Sequence, residues 1–262
     1  PPESCNVDPS VDYKVFMDMQ FRFLATEPAL FGLAGVMEYK SGYADEETIR
    51  WSGKLFRHYC IEGRTDLLSK ECGFKYKLDH LQNPDFDDGT QGWAVEAAEA
   101  GRVAVRSMSG FGWLEGRYPQ TNQGDNFCWM KRSDKRPNRI SQPIKGLTPG
   151  RLYSLKMFVA DYGDLSQGKS VKAEHALSIG IDNVELVPKK CFMHLSDTGH
   201  VLAPFGARHP AWLNYHHRVF RAKATEANLS ISDWASSREA GGPAGQELMC
   251  NFVEVQPYLE EE

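Results

Sequence analysis

The spacing of apolar residues changes near residue 80. Before this point it is helical: in the stretch from 11 to 26, apolar side chains stand at 15, 16, 19, 23 and 24, and Pro28 ends the pattern. A second helical stretch starts at a run of acidic residues, as helix N-termini favour, and continues to Gly63. The sequence therefore predicts two helices before residue 80.

The apolar run LFGLAGVMEY lies between these two helices and is too rich in glycine for a good helix. It predicts a buried strand that ends at Glu38. A lone strand with a helix on each side cannot pair its own backbone groups. Residues 1–80 therefore predict a helix-strand-helix segment that is either part of an incomplete α/β layer or a docking layer.

Short alternating segments replace the helical pattern after residue 80, with turn residues between them. In LYSLKMFVA, the side chains of Tyr153, Leu155 and Met157 share one face of the predicted strand. Similar segments recur without intervening helices: RVAVRSM, HALSIGIDNVELVP, HRVFRAKA, ANLSISDWA and ELMCNFVEVQPYL. Residues 81–262 therefore predict an antiparallel β-sandwich or barrel, and the chain as a whole is predicted to be mainly β.

Charge and hydropathy exclude two classes of partner. The formal net charge of -5, from 30 basic and 35 acidic residues, lacks the basic footprint of a nucleic-acid binder. No apolar run approaches the roughly 18 residues that a membrane-spanning helix needs. One basic cluster, at 131–139, could bind a phosphate, sulfate or carboxylate group, or could be a solvated loop. We therefore expect no nucleic acid and no membrane as partner.

The six cysteines are widely spread and include no C-x-x-C pair, which excludes the common zinc pattern. Their even number permits up to three disulfides, but buried free thiols fit equally well. A start at Pro1 without methionine suggests a processed protein or a fragment, so the missing signal peptide does not argue against secretion.

The order of motifs after residue 80 resembles the galactose-binding-type β-jelly-roll of carbohydrate-binding modules that accompany glycoside hydrolases. The resemblance rests on NPDFDDGTQGW, PIKGLTPGRLYSLKMFVA, HRVFRAKATEANLSISDWA and ELMCNFVEVQPYL. It implies a jelly-roll sandwich that binds a polysaccharide or oligosaccharide. It also implies an extracellular or periplasmic location.

Family members often hold one structural calcium ion between the opening motif and the last strand. Here the corresponding carboxylates are Asp87 and Glu254, although the family more often has Asp at the second place. The resemblance therefore implies a calcium site at this pair, and the alternative is that Asp87 simply belongs to a turn.

The first segment resembles the last α-β-α portion of a glycoside hydrolase (β/α)8 barrel. If it has that origin, the preceding strands lie outside this sequence or come from a partner chain, and Glu38 faces the substrate cleft as a catalytic carboxylate. The alternative is a carboxylate held at a strand end by a neighbouring cation.

Sugar sites need exposed aromatic rings beside planar polar groups. Two stretches have this composition, GFGWLEGRYPQTNQGDNFCWMKR and HPAWLNYHHR, and they supply the predicted ligand residues. Large aromatic side chains are, however, also the usual content of a core. The first stretch offers Trp113, Tyr118, Asn122, Trp129 and the adjoining Arg132, and the second offers Trp212 and Tyr215.

These observations leave three functions open. The first is carbohydrate binding by a module associated with a glycoside hydrolase. The second is membership of a glycoside hydrolase whose barrel is completed elsewhere. The third is a structural interaction protein.

Overall fold

The computed structural model describes residues 8–32, 45–115, 121–197 and 211–260. The chain divides into two compact units: a helical unit, Pro1–Leu78 with Leu259–Glu262, and a sandwich unit, Asp79–Tyr258. The division lies close to the change of pattern at residue 80. Within the described ranges, no helix is both long and apolar enough to cross a membrane.

Both predicted helices of the helical unit are present. The side chain of Asp12 caps the first helix, and that of Asp45 caps the second by accepting a hydrogen bond from the Thr48 amide at 2.8 Å. The predicted strand, apart from its first three residues, lies outside the described residues, as does Glu38. The helical elements are α1 (Tyr13–Thr26), a 3-10 turn (Pro28–Leu30), α2 (Glu46–Leu55), a π-helical turn (Phe56–Ile61) and α3 (Leu68–Glu71).

A buried ion-pair network joins α1 to α2 inside the helical unit. The ammonium group of Lys14, fully buried, lies 3.2 Å from a carboxylate oxygen of Asp12 and 3.4 Å from one of Glu47. The indole of Trp51 donates a hydrogen bond to the carbonyl of Lys14 at 2.8 Å. Burying one of these charges alone would be costly, so the three charged side chains depend on one another.

The sandwich unit consists of two antiparallel sheets, which confirms the predicted antiparallel β-sandwich. The small sheet has the strand order β1-β4-β10-β6, and the large sheet has the order β2-β3-β11-β5-β9-β7, with β8 also paired to β9. The strands are β1 (Ala94–Glu96), β2 (Val103–Ser107), β3 (Asn126–Lys131), β4 (Arg139–Ile144), β5 (Leu152–Asp161), β6 (Ser178–Asp182), β7 (Val184–Leu186), β8 (Phe192–Asp197), β9 (Trp212–Ala222), β10 (Ala227–Ser232) and β11 (Glu247–Pro257).

The main core fills the space between the two sheets. Tyr153, Leu155 and Met157 point into it from β5, as the alternating pattern predicts. Phe86 and Trp93 close one side with stacked rings whose centroids lie 5.1 Å apart. The small sheet contributes apolar side chains from β4, β6 and β10: Ile140, Ile144, Ile181, Leu229 and Ile231.

A bulge interrupts β11 and reverses the alternation of its side chains. The register to β5 shifts between Asn251 and Glu254, and Phe252 has a φ of 53° in the left-handed region. The carboxylate of Asp85 accepts a hydrogen bond from the Phe252 amide at 3.2 Å, and the carbonyl of Pro84 accepts one from the Val253 amide at 3.1 Å. The turn that opens the sandwich unit therefore stabilises the bulge in its last strand.

Replacing Asp85 with alanine should lower the free energy of unfolding by about 1 to 3 kcal/mol, because the Phe252 amide loses its acceptor in a buried place. Asp85→Asn keeps an acceptor oxygen and should lose less. Urea denaturation measures the effect, with Asp88→Ala, at an exposed position of the same turn, as the control. Equal losses in Asp85→Ala and Asp88→Ala would contradict this role.

Candidate functional site

The outer face of the large sheet, which points away from the small sheet, carries a second apolar cluster and one partly exposed polar strip. The cluster contains Phe127, Phe158, Leu213 and Tyr215, and the short helix α4 (Phe111–Leu114) packs on it. The strip lies beside this cluster, at the β2 edge of the sheet. We call it the Arg106 strip and define it by Arg106, Trp129, Lys131, Tyr162 and Glu247.

Strand pairing brings the strip together. Arg106 on β2 lies opposite Phe127 on β3, so that its side chain shares the outer face with Trp129 two residues further along β3. Glu247, at the start of β11, lies opposite Lys131, at the end of β3. Tyr162 begins the short helix α5 (Tyr162–Leu165), directly after β5.

Glu247 is the electrostatic centre of the strip. Its carboxylate accepts a hydrogen bond from the Trp129 indole at 2.8 Å and one from Lys131 at 3.1 Å, and Arg106 lies 3.7 Å away. Burial raises the pKa of Glu247, but the hydrogen bonds from Lys131 and Trp129 outweigh burial and hold that pKa below its usual value. Glu247 therefore remains an anionic acceptor at neutral pH.

The guanidinium of Arg106 lies over the Trp129 ring and near the Tyr162 ring. Its central carbon is 3.6 Å from the centroid of the Trp129 ring and 5.2 Å from that of Tyr162. The side chains of Arg106 and Lys131 are 38% and 39% exposed, and that of Glu247 is 23% exposed. The strip therefore presents fixed donors and one acceptor to solvent, which is the chemistry that recognises hydroxyl groups.

Two of the predicted ring residues are too buried to stack on a sugar. Trp129 is only 3% exposed and has Arg106 over one face, and Tyr215 is fully buried against Phe158 and Phe192. The alternating pattern indicates which face a side chain occupies and not whether that face is covered. Trp129 contributes to the strip through its indole N–H and by supporting Arg106, and Tyr215 belongs to the core.

Trp113 is partly exposed and is held in place by a tight local structure. The carboxylate of Asp125 accepts hydrogen bonds from the amides of Gly110 and Gly112, at 3.0 and 3.1 Å. A β-carbon at residue 112 would overlap the carbonyl oxygen of Gln123, so this position requires glycine. The same outer-face cluster that buries Phe111 and Leu114 therefore leaves Trp113, between them, partly accessible.

The other predicted ligand residues are dispersed. Asn122 is exposed, and Tyr118 lies outside the described residues. Trp212 is partly exposed, with the Lys172 ammonium 4.6 Å from its ring centroid. Trp212 is the first residue of β9, and its side chain points to the same face of the sheet as those of Asn214 and His216. This face is opposite to the one that carries the Arg106 strip. Trp113 and Asn122 remain predictions for a site on the outer face, and Trp212 does not belong to that site.

Arg132 was predicted as a ligand residue, but its side chain is completely buried. It lies where β3 ends and donates a hydrogen bond to the carbonyl of Ala176 at 2.6 Å. Nearby, Gln246 donates a hydrogen bond to Asp161 at 3.0 Å. Arg132 comes directly after Lys131, the last residue of β3, and its guanidinium lies against Gly242. It anchors the loop before β6 and offers no donor to solvent.

The predicted calcium ligands have separate partners. Asp87 is exposed and accepts a hydrogen bond from Asn126 at 2.7 Å, whereas Glu254 is fully buried, opposite Lys156 and hydrogen-bonded to Gln256. Within the described ranges, no group of three or more His, Cys, Asp or Glu side chains is arranged to hold a metal ion. The structure gives Asp87 and Glu254 different protein partners, and calcium binding at this pair stays a prediction.

Sequence reasoning missed Arg106, Tyr162 and Glu247. The alternation in RVAVRSM does place Arg106 on the opposite face of the strand from Val103 and Val105. This pattern was the one sign in the sequence that Arg106 points away from the core. The pairing of β3 with both β2 and β11 is what makes these residues neighbours, and a single sequence does not specify that pairing.

His216 should make the sandwich unit less stable in acid. Burial, followed by the charges of Arg218 and His175, lowers the pKa of His216 to about 3. The unfolded chain, with a pKa of about 6.5, then takes up the proton first as pH falls. The contribution of neutral His216 to the free energy of unfolding is complete above about pH 6.5 and is lost as the pH falls toward 3. At pH 5 the loss is about 2 kcal/mol.

Urea denaturation between pH 7 and pH 4.5 measures this effect. His216→Asn should remove most of the slope of unfolding free energy against pH that the histidine causes. His194→Asn, at an exposed position of β8, is the matched control for replacing a histidine with asparagine, and its slope is the reference for His216→Asn. An unaltered slope in His216→Asn would contradict the assignment.

No protein-family model matches the chain, and no curated protein matches it. Several solved structures are similar to it at low identity. The carbohydrate-binding module TmCBM61, solved in complex with β-1,4-galactotriose, is 13% identical, with a TM-score of 0.37, over 69% of this chain and 99% of that one. TmCBM27, a module studied for mannan recognition, is 9% identical, with a TM-score of 0.31, over 66% of this chain and 91% of that one.

A third similar structure is a two-module portion of xylanase 10B from Clostridium thermocellum, complexed with xylohexaose. It is 12% identical, with a TM-score of 0.34, over 66% of this chain and 27% of that one. Likeness at this level carries no argument about function, and the sandwich fold stands on the strand pairing described above.

Proposed function

We propose that the sandwich unit binds a polysaccharide or oligosaccharide on the outer face of its large sheet. The observation that carries this proposal is the Arg106 strip, in which a guanidinium lies 3.6 Å over a tryptophan ring beside a carboxylate that accepts two hydrogen bonds. The charged groups of the strip are held in place by their neighbours and are partly exposed to solvent. They therefore lose little conformational entropy when they bind the hydroxyl groups of a sugar.

The strip is suited to sugar hydroxyls for a second reason. Arg106 and Lys131 only donate hydrogen bonds, and the Glu247 carboxylate only accepts them, whereas each sugar hydroxyl does both. Partly exposed Trp113, on the short helix α4 that packs on the same outer face through Phe111 and Leu114, adds an apolar ring of the kind that packs on the CH face of a pyranose. Donors, an acceptor and a ring on one face match the composition that a glycan site requires.

We further propose that the protein works with a glycoside hydrolase outside the cytoplasm. Polymeric glycans are too large to enter cells readily, and a binding surface of this kind serves to hold an enzyme near its substrate. The resemblance of the apolar pattern in residues 1–80 to the end of a (β/α)8 barrel, which rests on the sequence alone, motivates this proposal. It stays a prediction, as do the catalytic role of Glu38 and the completion of the barrel by another chain.

Arg106→Ala should weaken glycan binding at least about tenfold, because it removes donors and the support of the Trp129 ring. Affinity gel electrophoresis against soluble galactan, xylan, mannan and β-glucan first identifies a bound glycan, and calorimetry then gives the Kd. Arg139→Ala is the matched control, because Arg139 is 40% exposed and lies 3.9 Å from Glu96, but on the small sheet.

The variant Trp113→Ala tests the apolar part of the same site, and it should also weaken binding. Unchanged Kd values in both Arg106→Ala and Trp113→Ala, for a glycan that the parent protein binds, would show that the site is elsewhere. Absence of binding to a broad glycan panel would contradict the function itself. Release of reducing ends from the bound glycan would instead indicate a hydrolase.

A further inference from the structure

Cys128 and Cys250 lie directly opposite each other on the adjacent strands β3 and β11. Both side chains are fully buried in the core between the sheets, and both are free thiols. The neighbouring Cys250 thiol, followed by burial, raises the pKa of the Cys128 thiol well above its usual value. These two sulfur atoms are therefore neighbours in the folded protein.

The geometry of an antiparallel pair suits a disulfide. Residues directly opposite each other have Cα atoms about 4.5 or 5.5 Å apart, depending on the type of pair. Disulfides bridge Cα separations of roughly 4.4 to 6.8 Å, so either type falls in the range. The β-carbons of residues directly opposite each other lie about 4.5 to 5.5 Å apart, and a disulfide would bring them to about 3.8 Å.

We propose that Cys128 and Cys250 form an intramolecular disulfide when the protein folds or opens in the presence of a small-molecule disulfide. The Cys128 thiolate attacks a sulfur of oxidised glutathione, which releases one glutathione thiolate and forms a mixed disulfide. The Cys250 thiolate then attacks the Cys128 sulfur and releases the second glutathione. Two electrons pass from the protein to glutathione, and the two protons lost by the protein thiols go to the glutathione thiolates.

The surroundings of the pair control its rate of oxidation. A buried thiol with a raised pKa forms little thiolate, and a small-molecule oxidant does not reach a side chain with no exposed surface. The folded, reduced protein should therefore oxidise slowly, and oxidation should accompany folding. Once formed, the bond would join the strand that carries Trp129 to the strand that carries Glu247, and so would hold the Arg106 strip together.

The test is to unfold the full chain in denaturant and refold it in a glutathione redox buffer, then to block free thiols and digest with trypsin without reduction. The expected product is a cross-link between the peptides of residues 118–131 and 239–262, with a mass about 2 Da below the sum of the two peptides. Cys60, which is exposed, shows that the blocking reagent is active.

Cys128→Ser and Cys250→Ser should each abolish this cross-link, whereas Cys191→Ser, at a partly buried position outside the pair, should retain it. The proposal is overturned if the refolded parent protein carries Cys128 and Cys250 as blocked thiols, as separate glutathione adducts or in disulfides with other cysteines. This outcome does not depend on whether either serine variant folds.

The cross-link should also raise the Tm by roughly 5 to 15 °C relative to the reduced protein, because it closes a long loop in the unfolded chain. Calorimetry of the oxidised and reduced forms of Cys191→Ser measures this shift. An oxidised form with the same Tm would contradict a stabilising role for the bond.

Discussion

Burial of both faces of the large sheet is the constraint on which the position of any ligand depends. In β5, every residue from Leu152 to Ala160 is buried, and in β11 every residue from Leu248 to Pro257 is buried. Neither strand has a solvent face in its middle, although their side chains alternate as in any strand. A bound molecule therefore meets the sheet at its margin, where β2 and the ends of β3 and β11 carry partly exposed side chains. The Arg106 strip lies at this margin.

Much of the fold could be predicted from the sequence because its signals are local. The spacing of apolar residues between 11 and 26 and the acidic start at Asp45 specify the helices without reference to any other part of the chain. The alternation at Tyr153, Leu155 and Met157 likewise specifies which face of β5 points into the core between the sheets. These features depend on a period of 3.6 or 2, and the period is visible in a single sequence.

The site was harder to predict because it depends on how deeply each side chain is buried and on which strands pair with each other. Trp129 and Tyr215 have the composition of a sugar site, but an aromatic residue on the outer face is equally suited to an apolar cluster, and the structure uses them there. Glu254 reaches the outer face only because of the bulge. No glycine or turn motif marks that bulge, since Phe252 adopts a left-handed φ with the help of an acceptor at Asp85, far away in the sequence.

That bulge also determines where the sandwich unit can be separated from the rest of the chain. The amides of Phe252 and Val253 rely on acceptors at Asp85 and Pro84, in the turn that precedes the first strand. A gene fragment that begins after this turn would encode every strand and still leave two amide groups in the last strand without acceptors. The first residues of the sandwich unit therefore complete the hydrogen bonding of its last strand. A gene rearrangement that moves this unit to another protein would have to include both the turn at Pro84 and Asp85 and the last strand, β11.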